Sequence, residues 1–414
     1  MTASPYEGQR GQSDAAFDRA RHGDGREGRA IAFSFRLLGT DAETGARRGR
    51  MTTKHGVVET PAFMPVGTQA TVKTLLPREV RAAGAQILLA NTYHLMLRPG
   101  LETLAAAGGL HRFMGWDGPI LTDSGGFQIF SLTGNTRVRE RGVTFRSHID
   151  GSARDLDPET AVELQLGWGS DIVMALDHLV GLPSDRKTVQ DATDRTHRWL
   201  ARCIDAFDRR DGRERAALFG ICQGGMDRDL RRESAAALAE ADVAGCAIGG
   251  LSVGEPKPVM AEMLEIVTPV LPAEKPRYLM GVGSPEDVWM GVARGVDLFD
   301  CVLPTRLARN GALFTPEGRV TIKQRRFADL HDAVDPECDC EACAGFSAAY
   351  LHHLFRAGEV LGLRLASMHN LRFLARQMET IRESVERGRF VSDYAAFRDR
   401  YRPVGAQSEA VTPA

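Results

Sequence analysis

One rhythm constrains this chain more than any other feature. Eight short apolar runs, at residues 62–66, 87–90, 120–121, 172–176, 218–222, 246–248, 278–280 and 296–299, recur between longer stretches with helical patterning. Runs this short that are apolar throughout suit strands buried on both faces, as in a parallel sheet covered by helices. The stretches between them carry helix start signals. Asp157 precedes Pro158 ahead of 158–168, and Ser284 precedes Pro285 ahead of 285–294. A short acceptor side chain followed by proline is a favoured helix opening. Residues 185–209 are long and amphipathic, and 227–240 are rich in alanine. Eight βα units predict an α/β fold, a parallel (β/α)8 TIM barrel, with an open doubly wound sheet as the alternative.

Two insertions break the rhythm. Residues 136–149 alternate apolar and polar around Arg141-Gly142, which reads as a hairpin. A longer insertion, about 310–370, follows the eighth run and contains Cys338, Cys340 and Cys343. Residues 371 to about 385 then read as a closing amphipathic helix. The chain has 414 residues, more than the roughly 250 of a minimal barrel, which leaves room for insertions and tails. Residues 1–30 are rich in Gly, Arg, Asp and Glu and poor in aliphatic side chains, so they are expected to form a disordered tail, as are 403–414. The catalytic barrel with its inserted module is expected to span 31–402.

Net charge is −2, so a polyanionic partner would have to meet a local basic patch rather than a global field. No apolar run approaches the roughly 18 residues needed to cross a membrane, and the N-terminus lacks the apolar core of a secretion signal. Seven cysteines, three of them clustered, fit a reduced cytoplasmic protein that uses thiolates for metal.

Polar residues gather where the apolar runs end. Asp123, Ser124 and Gln128 follow the third run, Asp177 the fourth and Gln223-Gly224-Gly225 the fifth. Gly249-Gly250-Leu251 follow the sixth, Met280-Gly281-Val282-Gly283 close the seventh, and Asp300 follows the eighth. Each alone reads as a helix cap or a loop residue. Together, in a barrel, they converge on the face where such folds carry their chemistry. Carboxylates and an amide suit a flat, donor-rich heterocycle, glycines let backbone approach it, and Phe127 and Met280 could cover its faces. No P-loop is present, and no GxGxxG string follows any of the eight apolar runs. Asp300 stands within 296–303, an otherwise largely apolar stretch. A buried carboxylate costs several kcal/mol unless compensated, so its presence calls for a use.

Cys338-x-Cys340-x2-Cys343 supplies three thiolates, and a histidine from His331, His352, His353 or His369 would complete a closed tetrahedral zinc site of structural type. Arg306, Arg309, Lys323, Arg325 and Arg326 lie between the eighth run and this cluster, either as a track for phosphates or as a solvated face.

The segments TDSGGFQIFSL, FGICQGG, IGGLSVGE, YLMGVG, DLFDCVLPTRLARNG and CDCEAC…MHN, in this order across about 31–390, resemble the tRNA-guanine transglycosylase (queuine tRNA-ribosyltransferase) family. The resemblance implies a zinc-containing (β/α)8 barrel that replaces guanine at the wobble position of tRNAs with a U-G-U anticodon sequence by a 7-deazaguanine. The base is 7-aminomethyl-7-deazaguanine (preQ1) in the bacterial branch and queuine in the eukaryotic one. It implies Asp300 as the nucleophile on ribose C1′ and Asp123 as the general acid/base. Asp177, Gln223 and the Gly250 backbone would read the base edge beside Ser124 and Gln128, with Phe127 and Met280 sandwiching the ring. The Leu251 backbone would meet the 7-substituent, with Glu255 supporting that peptide, and Arg306 and Arg309 would meet RNA. Cys338, Cys340, Cys343 and His369 match the ligands of one structural Zn2+ per subunit of a homodimer.

This chain departs from the bacterial pattern at Phe127, where tyrosine is common, and at His178-Leu179, where Glu and Cys often stand; Val253 is of bacterial type. The expected function is therefore preQ1 exchange in queuosine biosynthesis. Direct use of queuine, and a non-catalytic tRNA-binding subunit, are the alternatives; retention of both Asp300 and Asp123 argues against the second.

Overall fold

The computed structural model describes residues 32–132, 136–181 and 183–403, so the two expected tails lie outside the described residues except for Pro403. The eight apolar runs form strands Ala62–Pro65, Leu88–Ala90, Ile120–Thr122, Ile172–Met174, Ala217–Cys222, Gly245–Ile248, Arg277–Leu279 and Leu298–Cys301. From the second strand to the eighth each pairs in parallel with the next, and the eighth returns to the first from Leu298↔Ala62 to Cys301↔Pro65. A parallel bridge between Val66 and Leu89 joins the first strand to the second and closes the ring. The sheet is a barrel, and the open-sheet alternative falls.

Strand alternation sorts the core into two shells. Ala62, Met64 and Val66, with Ala217, Phe219 and Ile221, pack in the lumen beside Ile172, Met174, Tyr278 and Leu298. Phe63, Val173, Leu218, Ile248, Leu279 and Phe299 face the helices. The same period places Asp300, two residues beyond Leu298, on the lumen side at the functional end. An N-terminal antiparallel sheet of Phe33–Thr40, Arg47–Thr53 and Gly56–Thr60, not anticipated from the sequence, lends Met51 and Val58 to the lumen core.

The two anticipated helix caps, Asp157 and Ser284, are present, and Asp185 and Asp227 cap two further helices. Asp157 accepts the N–H of Thr160, Asp185 that of Thr188, Asp227 those of Asp229 and Leu230, and Ser284 that of Asp287. The first insertion is a three-stranded sheet of Arg137–Val138, Val143–Arg146 and Ala153–Leu156, one strand more than a hairpin. The second contains a hairpin of Ala312–Thr315 and Gly318–Thr321 and the helices Glu341–Gly345 and Ala348–Ala357.

The closing helix begins at Val360, not near 371, and runs 27 residues to Glu386. Its first turns bury Leu365 and Ala366 in the small core of the insertion while its later turns bury Leu374 and Ile381 against the barrel, so one helix serves two cores. A further helix, Phe390–Arg400, follows it and stacks Tyr394 and Phe397 on Trp289. Among the described residues no helix is long and apolar enough to cross a membrane.

Candidate active site

The C-terminal ends of the strands place three buried carboxylates: Asp123, Asp177 and Asp300. Asp300 accepts two hydrogen bonds on the same oxygen, Oδ1: from the Tyr278 hydroxyl at 2.6 Å and from the Gly281 N–H at 2.8 Å. No hydrogen bond to Oδ2 is found among the described residues. Burial raises the pKa of Asp300 above the usual carboxylate value, against the opposing pull of those two donors. Tyr278 is fully buried, and its own pKa is pushed well up by burial and by the charge of Asp300, so it stays a donor.

Asp123 is held by the second strand's end. Its Oδ2 accepts from the Asn91 side chain at 2.5 Å and its Oδ1 from the Thr92 N–H at 2.8 Å. Burial pushes its pKa up to about 6, the Asn91, Thr92 and Gln128 donors pull against this, and the charge of Asp300 adds to the rise. A carboxyl that titrates close to neutrality can both give and take a proton at working pH. Asp123 and Asp300 thus sit close enough to sense each other while differing in their hydrogen-bond partners.

Asp177 lies in a second polar cluster. Its Oδ1 accepts from the Ser124 hydroxyl at 2.9 Å and its Oδ2 from the Gln223 amide at 2.6 Å, and burial raises its pKa. Gly249 and Gly250 pack directly on Gln223: a Cβ at Gly250 would lie 2.4 Å from Gln223 Oε1, and Gly250 also has a φ of +64°. Only glycine meets both demands. Beyond them Glu255 accepts the N–H groups of Ser252, in a very short contact, and of Val253 at 2.9 Å. Phe127 is 51% exposed, so its ring is available to a ligand, and Met280 is half-buried against the lumen core. Leu251 and Leu179 are buried.

Arg306 and Arg309 lie on the helix Leu303–Arg309 that follows the eighth strand. Arg306 is exposed; Arg309 is half-buried, and its Nη1 is buried without a hydrogen-bond partner. Cys338, Cys340, Cys343 and His369 bring their ligand atoms within 4.8 Å of one another, and this group could hold a metal ion. His369 Nδ1 lies 3.8 Å from Cys340 Sγ and 3.3 Å from Cys343 Sγ. A tetrahedral ion with S and N ligands at about 2.3 and 2.0 Å would space them by about 3.5 Å, so the residues fit. His369 Nε2 lies 2.7 Å from the Phe314 carbonyl, which fixes the proton there and leaves Nδ1 for the ion.

Sequence reasoning did not single out Asn91, Tyr278 or Arg231. Asn91 directly follows the second apolar run, as Asp123 follows the third after one intervening threonine, so the strand-end rule could have found it.

Fold and site together define a (β/α)8-barrel protein with buried carboxyls and an amide gathered at its strand ends and a separate Cys3His group that could hold a metal ion. A family model described as queuine tRNA-ribosyltransferase matches residues 41–403, and the chain belongs to that family. A queuine tRNA-ribosyltransferase of Herpetosiphon aurantiacus is 57% identical over 372 residues, covering 90% of this chain and 93% of that protein. The similarly named proteins of Pelotomaculum thermopropionicum (54% over 371 residues, 90% of this chain and 98% of the relative) and Desulforudis audaxviator (57% over 358, 86% and 95%) are comparably similar.

Proposed function

We propose that this protein exchanges guanine at the wobble position of U-G-U tRNAs for preQ1, in two displacements at ribose C1′. Asp300 attacks C1′, and the glycosidic bond breaks with its electron pair going to the base. Asp123 supplies the proton the departing guanine needs. The incoming 7-deazaguanine then gives its N9 proton to Asp123 and attacks C1′, releasing Asp300. Two displacements retain configuration, and the RNA backbone is never cut. The observation that carries this reading is the unequal carboxyl pair. Asp300 is gripped on one oxygen by Tyr278 and Gly281, while Asp123 is pushed up to about 6 beside it. Burial raises both carboxyls, and their different hydrogen-bond partners suit a nucleophile and a proton carrier.

Asp177, Gln223 and the Gly250 peptide take the base edge, and Phe127 and Met280 its faces. The Ser252 N–H is committed to Glu255. In a planar trans peptide the preceding carbonyl points the opposite way, so the Leu251 carbonyl is turned from Glu255 and can accept from an aminomethyl ammonium. This favours preQ1 over a base without a donor there. Arg306 and the unpartnered Arg309 Nη1 would take RNA phosphates. The Cys3His group would hold Zn2+, which ties the insertion to the long helix and takes no part in the reaction. Exposed Tyr350, Val360 and Leu361 on the insertion would be covered by a second copy in a homodimer. A tRNA substrate places the protein in the cytoplasm. The test is release of labelled guanine from tRNA, with preQ1 and queuine offered in parallel. The reading expects exchange with preQ1, and use of queuine alone refutes the base assignment.

A further inference from the structure

Arg231 is fully buried on the helix Arg228–Glu240, and among the described residues it pairs with no carboxylate. All of its hydrogen bonds go to backbone carbonyls. Nε donates to Gly225 at 2.7 Å, Nη1 to Gly249 at 2.8 Å with a long contact to Cys222 at 3.5 Å, and Nη2 to Gly250 at 3.0 Å. These carbonyls belong to the loops that end the fifth and sixth strands, the two loops that flank Gln223. A buried guanidinium with no carboxylate in contact carries a large desolvation cost, and a leucine or methionine would fill a helix face without it. The fork geometry gives the return: one rigid group clamps two loops at once.

The direction of the clamp matters. Gly249 and Gly250 both turn their carbonyls to Arg231. In planar trans peptides the N–H groups that follow, those of Gly250 and Leu251, must therefore point away from the guanidinium. Neither N–H finds an acceptor among the described residues. The φ of +64° at Gly250 is what lets two successive carbonyls converge on one side and two successive N–H groups open on the other, the arrangement that receives acceptor atoms. The positive charge behind the two peptides also polarises those donors.

We infer that Arg231 is a positioning residue for base recognition, which orients the Gly250 and Leu251 N–H groups toward the carbonyl edge of the bound purine without touching it. This rests on the reading of the Gln223–Gly250 pocket as the base site. Arg231 would set affinity for the free base and leave tRNA affinity and the carboxyl pair alone.

The test compares Arg231→Met and Arg231→Lys with Asp177→Asn and with Arg232→Met, a change at the exposed neighbour on the same helix. Guanine exchange into tRNA is measured well below each variant's melting temperature, with KM for guanine and for tRNA determined separately. Guanine binding is also measured by calorimetry without tRNA. Arg231→Met is expected to weaken guanine, in KM and in calorimetric affinity, about tenfold or more with KM for tRNA unchanged. Arg231→Lys keeps the charge but loses the fork, and is expected to recover only part. Arg232→Met is expected to match the parent. If Arg231→Met lowers melting temperature or kcat while guanine affinity holds, the positioning role is overturned, and weakening by Asp177→Asn leaves the pocket assignment standing. If Asp177→Asn also binds guanine normally, the pocket assignment itself fails. Should Arg231→Met not fold, the calorimetric affinity of Arg231→Lys decides: parental affinity overturns the inference.

Discussion

Replacing Tyr278 by phenylalanine removes one oxygen from the lumen and, with it, one of the two donors on Asp300. The remaining Gly281 N–H also meets Oδ1, at 2.8 Å, so nothing replaces the lost bond at 2.6 Å. A hydrogen bond to a charged group is worth about 1.5–3 kcal/mol. At 1.36 kcal/mol per unit, the pKa of Asp300 should rise by about 1–2 units above its already raised value. In the proposed mechanism Asp300 must be ionised to attack, so the acid limb of kcat/KM should move to higher pH by about that amount. Below the limb, activity should fall about 10- to 100-fold relative to the parent; at high pH it should largely recover. Stability follows the same sign. A carboxylate whose folded pKa is raised costs stability as pH rises past the unfolded value near 3.9; parent and variant share that loss until the parent's own raised folded pKa is reached, so the gap between them is constant in acid and the variant loses further ground only above it. The assay is a pH–rate profile of guanine exchange with denaturant melts at the same pH values. An acid limb that stays in place, with activity reduced equally at every pH, refutes the role given to the Tyr278 hydroxyl.

Asp123→Asn keeps the Asn91 and Thr92 neighbours but cannot carry a proton, so exchange should drop by about 10²-fold or more; near-parental turnover in the same guanine-exchange assay contradicts the acid/base assignment. Stripping metal with a strong chelator, or Cys343→Ser, should lower the melting temperature, because Cys338 and Cys340 belong to the core that also holds Ala308 and Leu313. Metal analysis alongside calorimetry checks this, and metal loss without destabilisation sinks the structural role. At the opposite end of the barrel, Asp171 is buried and accepts from His55, His111 and the Ile120 N–H, which holds its pKa well below the usual carboxylate range. A depressed carboxylate stabilises above its unfolded pKa and loses that contribution as pH falls through the folded one. Asp171→Asn should therefore cost about 2 kcal/mol at neutral pH, with urea midpoints of parent and variant converging as the medium is acidified below about pH 4; a gap that widens in acid contradicts this.

The barrel was legible because fully buried parallel strands leave short apolar runs, and all eight runs lie on barrel strands. Asp300 was legible for the opposite reason, a charge inside such a run. Tyr278 was hidden by the same pattern: a tyrosine between apolar neighbours reads as core, and it is core, with only its hydroxyl serving the site. Arg231 was hidden because arginine on an alanine-rich helix reads as solvated. Only the two glycine loops folding over it reveal its use. His369 could not be chosen by spacing alone, since the helix carrying it starts at Val360 and the ligand lies mid-helix, fully buried. The N-terminal sheet was missed because its two long strands carry many polar residues, including Arg47, Arg48 and Arg50. Arg47 is nonetheless buried through its pairing with Asp297.

In the proposed mechanism Asp300 bonds to ribose during exchange, and trapping reads that bond out. Labelled tRNA carrying U-G-U is mixed with the protein and quenched during turnover, and the products are separated under denaturing conditions and digested for mass analysis. A covalent Asp300–ribose linkage gives a protein–RNA adduct that maps to Asp300 and that Asp300→Asn abolishes together with exchange. An adduct that persists in Asp300→Asn, or maps to another residue, contradicts it.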